Sequence, residues 1–408
     1  MGRASPTILQ IIPRLDTGGA ELSTVEIADA IAAAGGRALV ATEGGRMSGR
    51  ISEIGGELRH IAVATKNPMR ILANATRLQR IIAQEHVDLV HARSRAPAWS
   101  ARIAARRAGI PFVTTYHGAY AERGRLKRLY NGVMASADRV IANSAYTARL
   151  IQGRYGTDTQ RIRIIHRGVD MRAFDVDAIA PCRIQKLRDG WRIGPQERIV
   201  LQAARLTSWK GQSVVLEAAG RLAAAGTLGP IVFVFAGDDQ GRAAYRDQLV
   251  QQAAKLGLSD FVRFPGHVAD VPAALAAAHV AVVASTEPEA FGRVATEAQA
   301  MHCPVIATAI GAPPETVIPA DAQGAGKATG WLVPPDDPDA LARALDQALA
   351  LTEQERSALG MRARAHVAAN FTLDAMKRAT LAVYDELLGT DLASRRPHRP
   401  CTMESQNE

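Results

Sequence analysis

The chain is poor in several things that would each have fixed its class early. Only three cysteines occur in 408 residues, Cys182, Cys303 and Cys401. They are far apart and odd in number, which excludes a disulfide framework and any Cys-based metal motif and fits a reducing compartment. Aromatic residues make up 5% of the sequence, and no base-stacking motif accompanies them. No stretch approaches the roughly 20 apolar residues of a membrane span. The apolar run Ile8 to Ile12 is too short for a signal peptide and soon meets Pro13 and Arg14. Met1-Gly2 begins like a myristoylation signal, but Pro6 stands where Ser or Thr is needed. These absences place the chain in the cytoplasm, with the inner face of a membrane as its one alternative site. The full glycine fingerprint of dinucleotide-binding enzymes is also missing, which counts against nicotinamide or flavin chemistry.

What is present is ordinary for a soluble globular protein: 47% apolar and 22% charged residues. The length favours two domains. The net charge of +9 suits nucleic acid, anionic lipid or a generally Arg-rich background. The lack of stacking motifs argues against nucleic acid as a partner.

Short apolar runs alternate with helix-period segments along most of the chain. Thr7–Ile12, Arg37–Thr42, Leu58–Ile61, Leu89–Ala92, Phe112–Tyr116, Arg139–Asn143 and Ile162–His166 read as strands of one parallel α/β sheet. The pattern blurs over Asp170–Gln196, where Pro181, Gly190, Gly194 and Pro195 cluster, and this stretch reads as a linker. Strands resume at Ile199–Ala203, Ile231–Ala236, Val262–Phe264, Val280–Ala284 and Val305–Ala307. A last amphipathic helix is expected at Leu373–Leu388, followed by a polar tail from Gly389 that reads as disordered. The predicted domains are 1–183 and 184–370, with 371–388 as the terminal helix and 389–408 as the tail.

Open parallel sheets bind ligands beyond the carboxyl ends of their strands. The notable residues cluster there. Gly18 and Gly19 follow the first strand and open a helix, where a backbone can approach a phosphate closely; a plain turn explains the same pair. His117 follows the strand ending at Tyr116, as a donor into a site or as a loop histidine. His91 closes another strand, where a structural role fits better. Arg205 and Lys210 follow the first strand of the second half and together suit a diphosphate. Asp238-Asp239 reads as a solvated turn rather than a metal pair. The densest segment is Thr286 to Ala298: Glu289 in a turn, backbone donors at Phe291, Gly292 and Arg293, and Glu297 on the helix that follows. Two carboxylates around a helix start suit a ligand that is both phosphorylated and rich in hydroxyls.

In this order, Gly18-Gly19, His117-Gly118, Arg205…Lys210-Gly211, Glu289…Glu297, Gly311…Glu315 and Gly330…Pro335 resemble the family 4 glycosyltransferases. The resemblance runs from about Ile8 to Leu388. It implies two Rossmann-like domains facing across a cleft, the GT-B architecture. It also implies retaining, metal-independent transfer of a hexose from a nucleotide-diphosphate sugar, with no cofactor. On this resemblance Glu297 holds the ribose, Glu289 meets the transferred sugar and Arg205 and Lys210 stabilise the leaving diphosphate. His117 sits beside the hexose, Gly18 and Gly19 close on the phosphates, and the base lies near His267 and Val268. The terminal helix returns to the first domain. The expected acceptor is a glycan or lipid-linked glycan, as in lipopolysaccharide or envelope polysaccharide synthesis. A sugar-nucleotide epimerase of the same fold and a non-catalytic sugar-nucleotide-binding protein remain the alternatives. Ala290 departs from the family, in which many members have Gly, and fits unless that residue needs a positive φ. The run Glu122 to Tyr130 mixes basic residues with Leu126 and Leu129, which suits an anionic membrane surface and equally a solvated basic face.

Overall fold

A computed structural model describes residues 5–16, 18–118, 120, 124–320 and 325–395. Met1-Gly2, Glu122, Arg123 and Cys401 lie outside the described residues. The chain divides into two compact units. The first runs to His166 and resumes at Asp374; the second is Arg167–Leu373.

In the first unit, β1 (Thr7–Ile11), β2 (Arg37–Thr42), β3 (Glu57–His60), β4 (Leu89–Ala92), β5 (Phe112–Tyr116), β6 (Arg139–Ala142) and β7 (Ile162–Ile164) form one sheet. Its order is β3-β2-β1-β4-β5-β6-β7, and every pairing is parallel. The second unit has β8 (Arg198–Ala203), β9 (Ile231–Ala236), β10 (Val262–Gly266), β11 (Val280–Val283), β12 (Val305–Thr308) and β13 (Trp331–Val333). Their order is β10-β9-β8-β11-β12-β13, again parallel throughout. Central strands such as β1, β4, β9 and β11 are buried at every position, because helices cover both faces. That burial is why these strands appear in the sequence as continuous apolar runs rather than alternating ones.

Helix starts follow local chemistry. Asn67 caps Pro68–Gln84 with Pro at the first position, and Asp337 caps Pro338–Leu349 in the same way. Thr352 and Glu355 form a capping box at the head of Glu353–Asn370.

The two strand orders have a shared consequence. In each sheet the winding reverses beside the first strand, between β1 and β4 in one unit and between β8 and β11 in the other. The loops leaving those strand pairs diverge and leave room for a ligand.

Two expectations need correction. The stretch read as a linker is folded into the second unit: Pro181–Trp191 is a helix, and Ile179, Trp191 and Ile193 lie in that unit's core. Pro181 occupies the first helical position, where a missing N–H costs nothing, so the proline starts the helix instead of breaking it. The tail is also ordered as far as Arg395. Leu392 is buried, and the Asp385 carboxylate accepts from the N–H groups of Leu392 and Ala393, both at 2.8 Å.

Candidate functional site

Of the residues predicted in the second unit, Lys210 and Glu289 meet, on the loops that leave the carboxyl ends of β8 and β11. β8 ends at Ala203 and leads into a loop that carries Arg205 and the short 3-10 turn Ser208–Lys210. Two buried glutamines pin this loop from below. Gln202 donates to the Lys210 carbonyl at 2.6 Å, and Gln212 donates to the Arg205 carbonyl at 3.0 Å. Gly211 then enters the helix Gln212–Ala224 with φ +71°, and a Cβ there would sit 1.9 Å from the Ala284 carbonyl oxygen. The β8 loop therefore packs directly on the residue that follows β11, and only glycine permits the contact.

From β11 the chain runs through Ser285 to Glu289 and Gly292. Glu289 is 8% exposed yet carries a carboxylate. Lys210 Nζ pairs with Glu289 Oε1, and Ser285 Oγ donates to the same oxygen at 2.6 Å. The Lys210 ammonium also lies 4.2 Å from the centre of the Trp209 ring. The loop after β12 holds the Glu289 backbone: Glu289 bridges Gly311, and Ala312 N–H donates to the Glu289 carbonyl at 2.9 Å. Gly311 has φ +86°, and a Cβ would come within 2.2 Å of that carbonyl oxygen. Gly311 is thus a packing requirement of Glu289.

Gly292, in the left-handed region at φ +81°, turns the chain into the helix Arg293–Ala300. No side chain caps this helix; the Ala295 N–H turns back to the Gly292 carbonyl at 3.0 Å, and the positive end of the helix lies at this turn. Glu297 lies on the helix, 7% exposed, and accepts from Arg293 Nε at 3.2 Å. Phe291 is buried against Phe371, Val169 and Val367 and anchors the turn from behind. Ala290 does not have a positive φ, so an alanine fits at this position.

The other predicted positions stand as follows. Arg205 is exposed, with its guanidinium 3.5 Å from Gln240 Oε1. His267 is exposed and Val268 half-buried, just after β10. In the first unit, Gly18 and Gly19 are exposed at the head of the helix Gly19–Ala33, and His117 is half-buried after β5. Asp238 and Asp239 accept from the N–H groups of Gln240 and Gly241, as a solvated turn does. Among the described residues no group of three or more His, Cys, Asp or Glu side chains is placed to hold a metal ion.

Sequence reasoning missed four contributors, Gln202, Trp209, Gln212 and Ser285. Ser285 was detectable in principle, because it follows a buried strand directly. It missed Arg93 as well. This side chain follows β4, is 2% exposed and reaches Ser23, with its pKa pushed down to about 10 by burial. Beside it His91 lies between the Tyr384 hydroxyl and Thr115 Oγ1, each at 2.7 Å, in the structural role its position suggested.

Comparison with known proteins now settles the family. Residues 17–173 match the family described as Glycosyltransferase Family 4, and residues 183–366 match Glycosyl transferases group 1. A D-inositol 3-phosphate glycosyltransferase of Salinispora arenicola is 32% identical over 77% of this chain and 72% of its own length. The chain belongs to glycosyltransferase family 4. A Mycobacterium marinum protein of the same description is 31% identical over 76% of the chain. The match spans 66% of that relative, so the chain covers about two thirds of the length of such curated proteins. Among solved structures, a glycosyltransferase from Rickettsia africae aligns with TM-score 0.85 and 31% identity, covering 95% of this chain and 100% of that one. Anabaena Alr3699/HepE in complex with UDP-glucose aligns at TM-score 0.81 and 24% identity over 93% of this family 4 chain and 100% of its own, a likeness of fold. Both α/β units thus belong to the GT-B class.

Proposed function

We propose that this family 4 chain is a retaining glycosyltransferase that moves a hexose from a nucleotide-diphosphate sugar to a glycan or glycolipid acceptor. One observation carries the reading. The Lys210–Glu289 pair, with Ser285, sits at the winding reversal between β8 and β11, next to a helix start that lacks a side-chain cap. A cation there can turn from Glu289 to an incoming diphosphate, and the freed carboxylate can accept from sugar hydroxyls. Glu297, one helix turn beyond the start, suits the ribose hydroxyls. Arg205 is exposed and free to swing to the same diphosphate. His267 and Val268 would border the base. His117, Gly18 and Gly19 would act from the first unit, on the hexose and the phosphates.

Chemically, charge grows on the diphosphate as the glycosidic bond breaks and the sugar becomes oxocarbenium-like. Lys210, once turned from Glu289, together with Arg205 and the positive end of the helix, would stabilise that charge. Glu289 is occupied by Lys210 and Ser285, which fits a hydrogen-bonding role better than that of a nucleophile.

UDP-glucose on the Anabaena neighbour supports a nucleotide-sugar donor, and the inositol 3-phosphate in the relatives' name makes a phosphorylated polyol a second acceptor class. Envelope polysaccharide synthesis remains our reading of the pathway. No helix among the described residues is long and apolar enough to cross a membrane. The helix Arg125–Gly132 exposes Leu126 and Leu129 among Arg125, Lys127 and Arg128, which supports peripheral contact with an anionic inner face.

The test is a thermal-shift screen of UDP-, GDP- and ADP-hexoses, followed by transfer assays with the stabilising donor and product anomer analysis by NMR. One donor should raise the melting temperature and give a product with the donor's anomeric configuration. Free sugar and nucleotide formed without acceptor would favour an epimerase. Tight donor binding with no transfer to any acceptor would favour a binding protein.

A further inference from the structure

A groove of about 770 Å³ opens in the first unit, away from the carboxyl ends of its strands. Its wall includes Ser136, which precedes β6, and Thr157, Asp158 and Arg161, which precede β7. It therefore lies toward the amino edge of the sheet, whereas Gly18, Gly19 and His117 all follow strands. Five arginines line it, Arg102, Arg125, Arg128, Arg154 and Arg161, against one acidic residue, Asp158.

Three of the five are held in place by backbone. Arg161 donates to the carbonyls of Ser136 and Ala137, Arg154 donates to the Tyr120 carbonyl at 2.6 Å, and Arg128 donates to the Arg154 carbonyl. Each such bond uses part of a fork of five donors and fixes its direction. Arg102 and Arg125 make no ion pair among the described residues. Asp158 turns its carboxylate to the Gln160 N–H at 2.9 Å. Arg102 pays for its place: burial, then Arg106 and Arg161, pull its pKa below the usual guanidinium value, and Asp138 offsets this only in part. Asp138 is itself engaged by the Phe112 N–H at 2.8 Å.

Five guanidinium groups against one lining carboxylate are stabilised by a bound anion, and planar forks from several directions match a phosphate. We propose that this groove binds the phosphate group of a ligand, at a site separate from the donor site. Leu126 and Leu129 stand beside it, 84% and 68% exposed, so the phosphate can belong to a lipid headgroup as well as to a soluble molecule.

The test uses the full chain and the double variant Arg102→Ala/Arg125→Ala, chosen because neither side chain holds a backbone carbonyl. Binding of inorganic phosphate is measured by titration calorimetry at constant ionic strength, and binding to phosphatidylglycerol vesicles by flotation. Losing charge-assisted bonds to a phosphate from two arginines should weaken binding by about tenfold for each. Loss of phosphate and vesicle binding together assigns the phosphate to a lipid, with Leu126→Ser/Leu129→Ser losing vesicles alone. Loss of phosphate binding, with no vesicle binding by the parent chain, assigns it to a soluble ligand. Both outcomes support the groove. Wild-type affinity of the double variant for phosphate and vesicles, or no binding of either by the parent chain, overturns it. Nucleotide-sugar binding by the double variant is measured in parallel. It stays unchanged on this proposal, so failure here is distinguishable from failure of the donor reading.

Discussion

The two sheets share a parallel winding and a reversal beside their first strand, but they use the residues at that reversal differently. In the second unit the charges sit in a loop cluster, where a half-buried lysine meets a buried carboxylate. Lys210 and Glu289 neutralise each other, a partnership that on the proposed function is exchanged for a ligand. In the first unit the corresponding charge, Arg93 after β4, is sunk in the interior, and the neighbouring His91 is tied to Tyr384 of the terminal helix Leu373–Leu388. On the proposed function one strand end is arranged for exchange and the other for permanence. The same topology therefore does not imply the same task, and the site has to be read from its side chains.

The comparison can be broken at several points. The largest effect is expected for Lys210→Ala. Removing a preorganised donor to the leaving diphosphate should lower turnover by about 10²–10³, read as nucleotide release under saturating donor. Ser285 still satisfies Glu289 in that variant, so the fold should persist. Near wild-type turnover would place the chemistry elsewhere.

Next comes Gly311→Ala. The new methyl would collide with the Glu289 carbonyl at a positive φ, and a loss of about 1–3 kcal/mol is expected from denaturant unfolding, together with weaker donor binding. A variant as stable as its parent would show that the Glu289 turn is not held as described.

Tyr384→Phe probes the permanent side. His91 would lose its hydroxyl partner inside the core, costing about 1–2 kcal/mol of stability while donor affinity stays unchanged. A change in donor affinity as large as that in stability would erase the distinction between the two units.

The smallest expected effect is a pH dependence. Burial, with Arg356 and Arg198 nearby, pushes the His279 pKa down to about 4, and Nδ1 accepts from the Ile199 N–H at 3.2 Å. The folded state favours the neutral ring, so the unfolded chain binds the proton more readily. This contribution is complete above about pH 6.5 and is lost as pH falls toward 4. His279→Gln should flatten that part of the melting temperature profile; an unchanged slope would assign it to other groups.

Much of this was legible in the sequence for a physical reason. Strands buried on both faces appear as apolar runs, and a strand-to-helix loop shows its glycines and charges in order. Arg205, Lys210, Glu289 and Glu297 could be picked out because each follows a strand. The Lys210–Glu289 partnership could not, since it joins residues from two crossovers. Neither could His91 and Tyr384, which lie nearly 300 positions apart and meet only because the terminal helix packs on the first sheet. Pro181 misled because proline punctuates loops and helix starts alike, and the apolar Ile184, Leu187 and Trp191 at helical spacing distinguish the two.

The most direct test of the account is titration calorimetry of the parent chain and Lys210→Ala with a panel of UDP-, GDP- and ADP-hexoses. The account predicts that one donor binds the parent chain and binds the variant at least about tenfold more weakly, the loss of a single charge-assisted contact to the diphosphate. Equal affinity in the two proteins, or no binding by the parent chain to any donor, would contradict it.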